Sequence, residues 1–449
     1  MKPAFWRYFS IAAALTVMPN AALAGELSDA LGANLVRGYI APATAQFQQA
    51  ASEMEAGLAQ FCTASTADSS AGAVAARDAG KPGRVAQEKP GKAGLSGSVP
   101  VTGAQSDLGD ADALDHRFAA LVRAWAGIEF LRFGPLIEDN RFERIFFWPD
   151  PRGIMLRQIQ ALLAQTATVS PDPSATGAST AHHARNQDSS GVGATAGLDA
   201  QTLATHSVAV QGLPALEYML YRDKGLLKAD APQEPSFAAN CAYALAIAGN
   251  LSNIGKDIAM AWRDQGVQTH QEKNAGLPSS VAHAGQYAEY FSHPASTNPV
   301  YRSTQEIAAE AIKAISTGLQ FARDIKILPM LGKDADAANE KKAPFWRSGL
   351  FAQAMAASAN GLSHFLGAGQ WQYGQDEAWI GQSLESELDR AHSLFEAMSR
   401  DLARQVREAD GYRQLTLAAL LLQNSKNIVD QNMAPAFGAR IGFNALDGD

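Results

Sequence analysis

Apolar residues recur at a helical period along most of this chain, while strand signals are scarce. Ile307, Ala311, Ala314, Ile315, Gly318, Leu319 and Ala322 fall on one helix face. Leu384, Leu388, Ala391, Leu394, Phe395 and Met398 form a second stripe, with Glu385, Glu387, Asp389 and Arg390 between them. Ala418, Leu421, Leu422 and Ile428 continue the pattern. Helices with one apolar stripe each must bury it against other helices, so the expectation is an all-α fold packed as bundles. At 449 residues the chain exceeds one ordinary core, which argues for two helical-bundle domains.

Three stretches lose the period. Residues from about 63 to 112 and from about 166 to 199 are rich in Ala, Gly, Ser, Asp and Pro and read as long disordered inserts; residues 266–285 read as a linker. The expected division is therefore residues 25–265 for an N-terminal bundle carrying both inserts, and 286–449 for a C-terminal bundle. Expected helices run from about Leu27 to Phe61, Asp115 to Phe133, Gly153 to Ala164, Leu203 to Tyr221 and Ser236 to Arg263. After the linker they run from about Ser303 to Ile325, Phe345 to Leu366, Asp376 to Ala409 and Gly411 to Asn432. His182 and His183 lie in the second insert, where an adjacent pair is ordinarily incidental.

Residues 1–24 have the pattern of a signal peptide: Lys2 and Arg7, an apolar run from Phe9 to Val17, and the small-x-small site Ala22-Leu23-Ala24. No cysteine follows the run, which argues against a lipid anchor, and no later stretch is apolar for long enough to cross a bilayer. The expected mature chain is exported, in the periplasm or cell envelope of a Gram-negative source, with no transmembrane segment. The full chain's net charge of -8, more acidic still without Lys2 and Arg7, and the lack of a basic stripe exclude nucleic acid as an expected partner. Two cysteines, Cys62 and Cys241, would suit one disulfide in an oxidising compartment or two separate buried thiols; the sequence leaves both open.

Three constellations could carry chemistry. Trp125, Glu129 and Arg132 follow i, i+4, i+7 spacing ahead of Gly134-Pro135, so on one helix they share a face. Spacing alone favours a surface Glu–Arg pair over a buried ion pair lining a cleft. Phe146-Phe147-Trp148-Pro149-Asp150-Pro151 runs an aromatic cluster into a turn; Asp150 suits a helix cap, with Pro151 at the first helical position, better than a ligand role. Gly212-Leu213-Pro214-Ala215-Leu216-Glu217 opens an amphipathic helix with proline in its first turn and an acid near its positive end. His364, on an apolar helix, reads as a core histidine. The terminal Gly442 to Asp449 reads as a structured tail anchored by Phe443 and Leu446, without calcium-loop spacing. No nucleophile elbow, P-loop, dinucleotide fingerprint, H-E-x-x-H or haem-attachment motif occurs.

Taken in order, these pieces resemble the imelysin family of bacterial envelope proteins. The resemblance rests on Trp125 to Pro135 with Arg132-Phe133-Gly134-Pro135, then Phe147-Trp148-Pro149-Asp150, Gly212 to Tyr218, and Cys241-Ala242-Tyr243-Ala244. Tyr301-Arg302-Ser303, Phe345-Trp346-Arg347-Ser348-Gly349-Leu350 and Gly442 to Asp449 complete it. It implies a secreted, all-helical protein of two bundle-like domains with a shared pocket and a role in iron acquisition. The family is also classed with metallopeptidases through a Gly-x-His-x-x-Glu motif. Here Gly212 and Glu217 match it, but Pro214 occupies the histidine position and offers no nitrogen lone pair to a metal. A catalytic zinc ordinarily needs three protein ligands and an open position, so the departure counts against proteolysis.

The expected function is therefore a non-enzymatic binding or accessory protein, with a metal-dependent peptidase using Glu217 and a structural protein binding an envelope partner as alternatives. The expected ligand-binding set is Trp125, Glu129, Arg132, Trp148, Asp150, Gly212 and Glu217, with Glu129 and Glu217 as oxygen ligands if iron is bound. Iron, haem or a ferric chelate is the expected partner.

Overall fold

A computed structural model describes residues 25–78, 104–167, 198–264 and 284–440. The signal segment, the middle of both inserts with His182 and His183, most of the linker, and the terminal tail lie outside these residues. Among the described residues no strand forms, and the one bridge pairs Glu26 with Gln372. The architecture is all-α.

A short helix, Leu31–Leu35, and a π-helical turn, Val36–Ile40, lead into α1 (Ala41–Asp78). Next come α2 (Ala104–Ile128), α3 (Arg141–Ile145), α4 (Ile154–Ala167), α5 (Leu213–Tyr221) and α6 (Phe237–Ala261). Helix α1 packs along both α2 and α6. Cys62 on α1 and Cys241 on α6 are joined by a disulfide, with Cα atoms 6.0 Å apart. The first insert is shorter than its composition suggests: α1 runs on to Asp78 and α2 starts at Ala104, because Ala-rich sequence is compatible with helix even without an apolar period.

The second half holds α7 (Thr304–Gln320), α8 (Phe351–Ala368), α9 (Ala378–Glu396), α10 (Leu402–Arg407) and α11 (Ala409–Ile428). Ser303 caps α7, accepting from the Glu306 amide at 3.3 Å. The expected apolar face of α7 is buried throughout, from Ile307 to Leu319, and Ala322 continues it. Helix α9 packs between α8 and α11, and α8 also packs against α2 of the first half. One continuous core runs through both halves.

Several boundaries differ from expectation, each for a local reason. Helix α2 ends at Ile128, not Phe133. The next residues turn tightly, with Arg132 N–H donating to Phe130 O and Phe133 N–H to Leu131 O, both at 2.7 Å. That turn buries Phe130, Leu131 and Phe133 together, which one helix face could not do. Gly134 then takes φ +58°, a conformation suited to glycine. The expected helix from Leu203 to Tyr221 is three pieces, Ala200–Leu203, a 3-10 turn at Val208–Val210, and α5. The expected helix from Asp376 to Ala409 breaks after α9, where Asp401 starts α10 by accepting from the Arg404 amide at 3.0 Å. Residues Phe345 to Leu350 form a turn ahead of α8, with positive φ at Phe345 and Gly349. His364 is exposed on α8, not a core histidine, because the α8 stripe is filled by Leu362, Phe365 and Leu366.

Candidate functional site

Glu129, in the turn that leaves α2, is buried and forms an ion pair with Lys326. Its backbone N–H still bonds the Trp125 carbonyl at 2.9 Å. A surface Glu–Arg pair is thus not what forms. Lys326 sits in the π-helical turn Phe321–Ile327 that extends α7, and is itself buried. π turns inside α-helices re-aim side chains and recur at functional sites. The Lys326 ammonium lies 5.3 Å from the Phe321 ring centroid and 5.5 Å from that of Phe146. Burial lowers its pKa, and Glu129 opposes that shift. Glu129 Oε2 is buried without a hydrogen-bond partner.

Arg132 packs into the corner formed by two aromatic rings, Phe142 and Phe321, whose planes meet at 79°. Its guanidinium carbon is 3.9 Å from the Phe142 centroid and 4.0 Å from that of Phe321. Its Nε and Nη2 are shielded from water with no hydrogen-bond partner. Burial lowers its pKa to about 10, against the pull of Glu129 and Glu143. Trp125 is fully buried behind this group, against Phe47, Phe142 and Phe146, so it supports the wall from within.

Glu217, on α5, is buried in a neighbouring cluster. Its Oε1 accepts from the Ser348 amide at 2.9 Å and from the Ser348 hydroxyl at 2.8 Å. Burial raises its pKa, while Ser348 and the nearby Arg347 pull the other way. The Ser348 carbonyl accepts from Arg400 Nη2 at 3.2 Å. Arg400 also pairs with Asp115 at 3.3 Å, and Tyr221 donates to the same carboxylate at 2.6 Å. Residues of both halves therefore converge on Glu217. The two clusters meet at a ring stack: Phe146, which faces Lys326, lies 5.5 Å from Phe345, which begins the Ser348 turn. Phe345 has φ +56°, uncommon for an aromatic residue and typical of sites where the surroundings over-determine the backbone.

Gly212 is placed by packing. A Cβ there would fall 2.3 Å from the Ile145 carbonyl oxygen, so α5 can approach α3 only with glycine. Pro214 is buried in the first turn of α5, where no amide donor is needed. Asp150 caps α4, accepting from the Ile154 amide at 2.8 Å and the Met155 amide at 2.9 Å. Pro151 lies in the turn before that helix, which starts at Ile154 rather than at Pro151. Trp148 is half-buried and its indole N–H has no partner. Neither Trp148 nor Asp150 has a hydrogen bond or ion pair to Glu129, Arg132 or Glu217.

The expected residues thus divide. Trp125, Glu129 and Arg132 share one neighbourhood, Glu217 and Gly212 lie in or beside the next, and Asp150 serves its own helix. Lys326, Ser348, Asp115 and Arg400 were not anticipated. Glycine beside Ser348 and the run of aromatics before it were the available signals for that turn.

Whether a metal would fit can be judged from the donors. Glu129 is neutralised by Lys326, and one oxygen of Glu217 is occupied by Ser348. Among the described residues no three His, Cys, Asp or Glu side chains gather where they could hold an ion. Such a donor set does not make a metal cage.

The imelysin (peptidase M75) sequence profile matches residues 38–430. The chain belongs to the imelysin family. An imelysin-like protein from Psychrobacter arcticum 273-4 is similar in structure, with a TM-score of 0.60, 18% identity, and coverage of 94% of this chain and 99% of that one. A protein from Parabacteroides distasonis ATCC 8503, described as a "putative iron-regulated protein A precursor", has a TM-score of 0.54 and 12% identity, covering 90% of this chain and 96% of that one. At these identities the likeness is one of fold. No curated protein matches the sequence. Among the described residues no helix is long and apolar enough to cross a membrane.

Proposed function

We propose that this imelysin-family chain is an exported, non-catalytic binding or accessory protein of the cell envelope that serves iron acquisition. The observation that carries the non-catalytic reading is the state of the family motif. Pro214 cannot ligate a metal, and Glu217 is buried and committed to Ser348. A general base or metal ligand needs a reachable lone pair; Glu217 is 3% exposed and one of its two oxygens is taken by Ser348. The iron link is supported by the named iron-regulated neighbour and by the family resemblance. Because the carboxylates do not form a cage, iron would reach the protein as a ferric chelate or haem. Arg132, already largely desolvated against two rings, suits the anionic part of such a ligand. Trp125 and Glu129 would act by holding the wall behind it, and Glu217 and Gly212 by holding the neighbouring cluster.

The test is calorimetry of the mature protein with ferric citrate, haemin and a bare ferric salt, beside expression measured with and without iron starvation. Binding of a chelate or haem, with induction on starvation, is expected. No response to any of the three, together with unchanged expression, would remove the proposal. Peptide hydrolysis abolished both by chelator and by Glu217→Gln would replace it with a peptidase.

A further inference from the structure

A cavity of about 280 Å³ opens beside Arg132, between the segment 137–143 and helix α7. It includes neither Glu129 nor Glu217. Its lining carries charge of both signs: Arg132 and Lys313 are cationic, Glu143 and Glu310 are anionic. No ion pair within 4 Å joins any of these four side chains to another, although elsewhere on this surface such pairs are common. The rings of Phe142 and Phe321, set at 79° to one another, form a corner against which the Arg132 guanidinium packs, so few rotamers remain to be lost on binding. Glu310 is partly buried, and desolvation raises its pKa with Lys313 opposing. Apolar contact is available from Phe142, Ala314 and Ile137, and Ile137 is 58% exposed.

Opposite charges around one cavity that leave each other unpaired are complementary to a ligand carrying both signs. The volume lies just below the range of drug-sized pockets, which limits the ligand to a small molecule. We propose that this cavity binds a small zwitterion, an amino acid or dipeptide, with its carboxylate toward Arg132 and Lys313 and its ammonium toward Glu143 and Glu310. The proposal needs no metal and goes beyond the iron role.

The experiment is calorimetry of the whole mature protein in chelator-treated buffer, using L-leucine and L-alanyl-L-alanine as probes. Saturable binding of at least one probe is expected. C-terminal amidation of that probe, or N-acetylation, should each weaken it about ten-fold or more, the loss of one charged hydrogen bond. Lys313→Met and Glu310→Gln change side chains at the surface of α7 and leave the core intact. Each should weaken the unmodified probe with an unchanged melting temperature, and Glu310→Gln should cost the acetylated probe nothing further. Absence of heat from both probes at millimolar concentration overturns the proposal. So does equal affinity for the amidated or acetylated form, or wild-type affinity in both variants.

Discussion

Removing one partner of the Glu129–Lys326 pair should be far more damaging than removing both. Lys326 is 1% and Glu129 3% exposed, so neither charge can turn to water when its partner is lost. Breaking a buried pair typically costs about 3–5 kcal/mol, whereas replacing both charges with apolar groups of similar volume is near neutral or stabilising. The surroundings rank the two single variants. Lys326→Met leaves Glu129 still attracted by Arg132, which places it near the lower end, about 3 kcal/mol. Glu129→Leu strands Lys326 and Arg132, two like charges, which places it near the upper end, about 5 kcal/mol. The rings of Phe146 and Phe321 temper that loss only partly, since a cation–π contact contributes about 0.5–2 kcal/mol. Lys326→Met/Glu129→Leu should return to within about 2 kcal/mol of wild type. Urea unfolding of all four proteins, compared where the slope of stability on denaturant is unchanged, measures the cycle. A double variant as unstable as the sum of the singles would refute the reasoning, as would Lys326→Met costing more than Glu129→Leu.

Two further outcomes follow from other features. Cys62→Ser/Cys241→Ser opens a loop closed across 179 residues, and the chain-entropy relation puts the loss at about 5 kcal/mol; a fall in stability below about 1 kcal/mol in unreduced protein would contradict it. Glu217 has a folded-state pKa raised above its ordinary value of 4.5 by burial, so the folded state holds this proton more tightly than the unfolded chain. Its contribution to stability is then full below pH 4.5 and lost as pH rises through the folded value. Wild type should therefore lose urea resistance relative to Glu217→Gln between pH 4 and pH 8, and parallel curves would show the shift is absent.

The sequence periodicity located helices better than it located their ends. The α7 stripe is buried because apolar spacing reports on which side meets the core, although from Ala314 to Gln320 every residue is buried and the helix is enclosed on all sides. The ends depend on local competition. Ser399 and Asp401 ahead of Leu402 are a recognisable cap, yet the apolar period on either side runs through them and hides the break. At Phe130 to Phe133, tertiary burial of consecutive apolar residues overrides helix continuation. The supposed surface pair is instead a buried charge, because the turn after Ile128 packs into the core and Lys326 meets Glu129 there. Lys326 was illegible for a different reason. A lysine on a helix is ordinarily solvated, and its partner here lies 197 residues away in sequence. Ser348 was visible as part of a family segment, but nothing in its spacing showed that its amide and hydroxyl would both face Glu217.

The arrangement of satisfied and unsatisfied charge changes what the site can be. In the sequence, the acids looked like the functional groups and Arg132 like their counter-ion. In the fold, Glu129 pairs with Lys326 and Glu217 accepts from Ser348, while Oε2 of Glu129 and Nε and Nη2 of Arg132 have no hydrogen-bond partner. A buried donor left unpaired is costly, and the Arg132 guanidinium also borders the cavity beside α7, where an entering anion would meet its charge. That cavity presents cationic Arg132 and Lys313 beside anionic Glu143 and Glu310. That agrees with proline at the motif position: a protein that no longer presents a histidine and a carboxylate to a metal can still present a held guanidinium to an anion. A bare ferric ion would be repelled by that group, whereas a carboxylate, free or as part of a chelate, would meet it with its charge already in place.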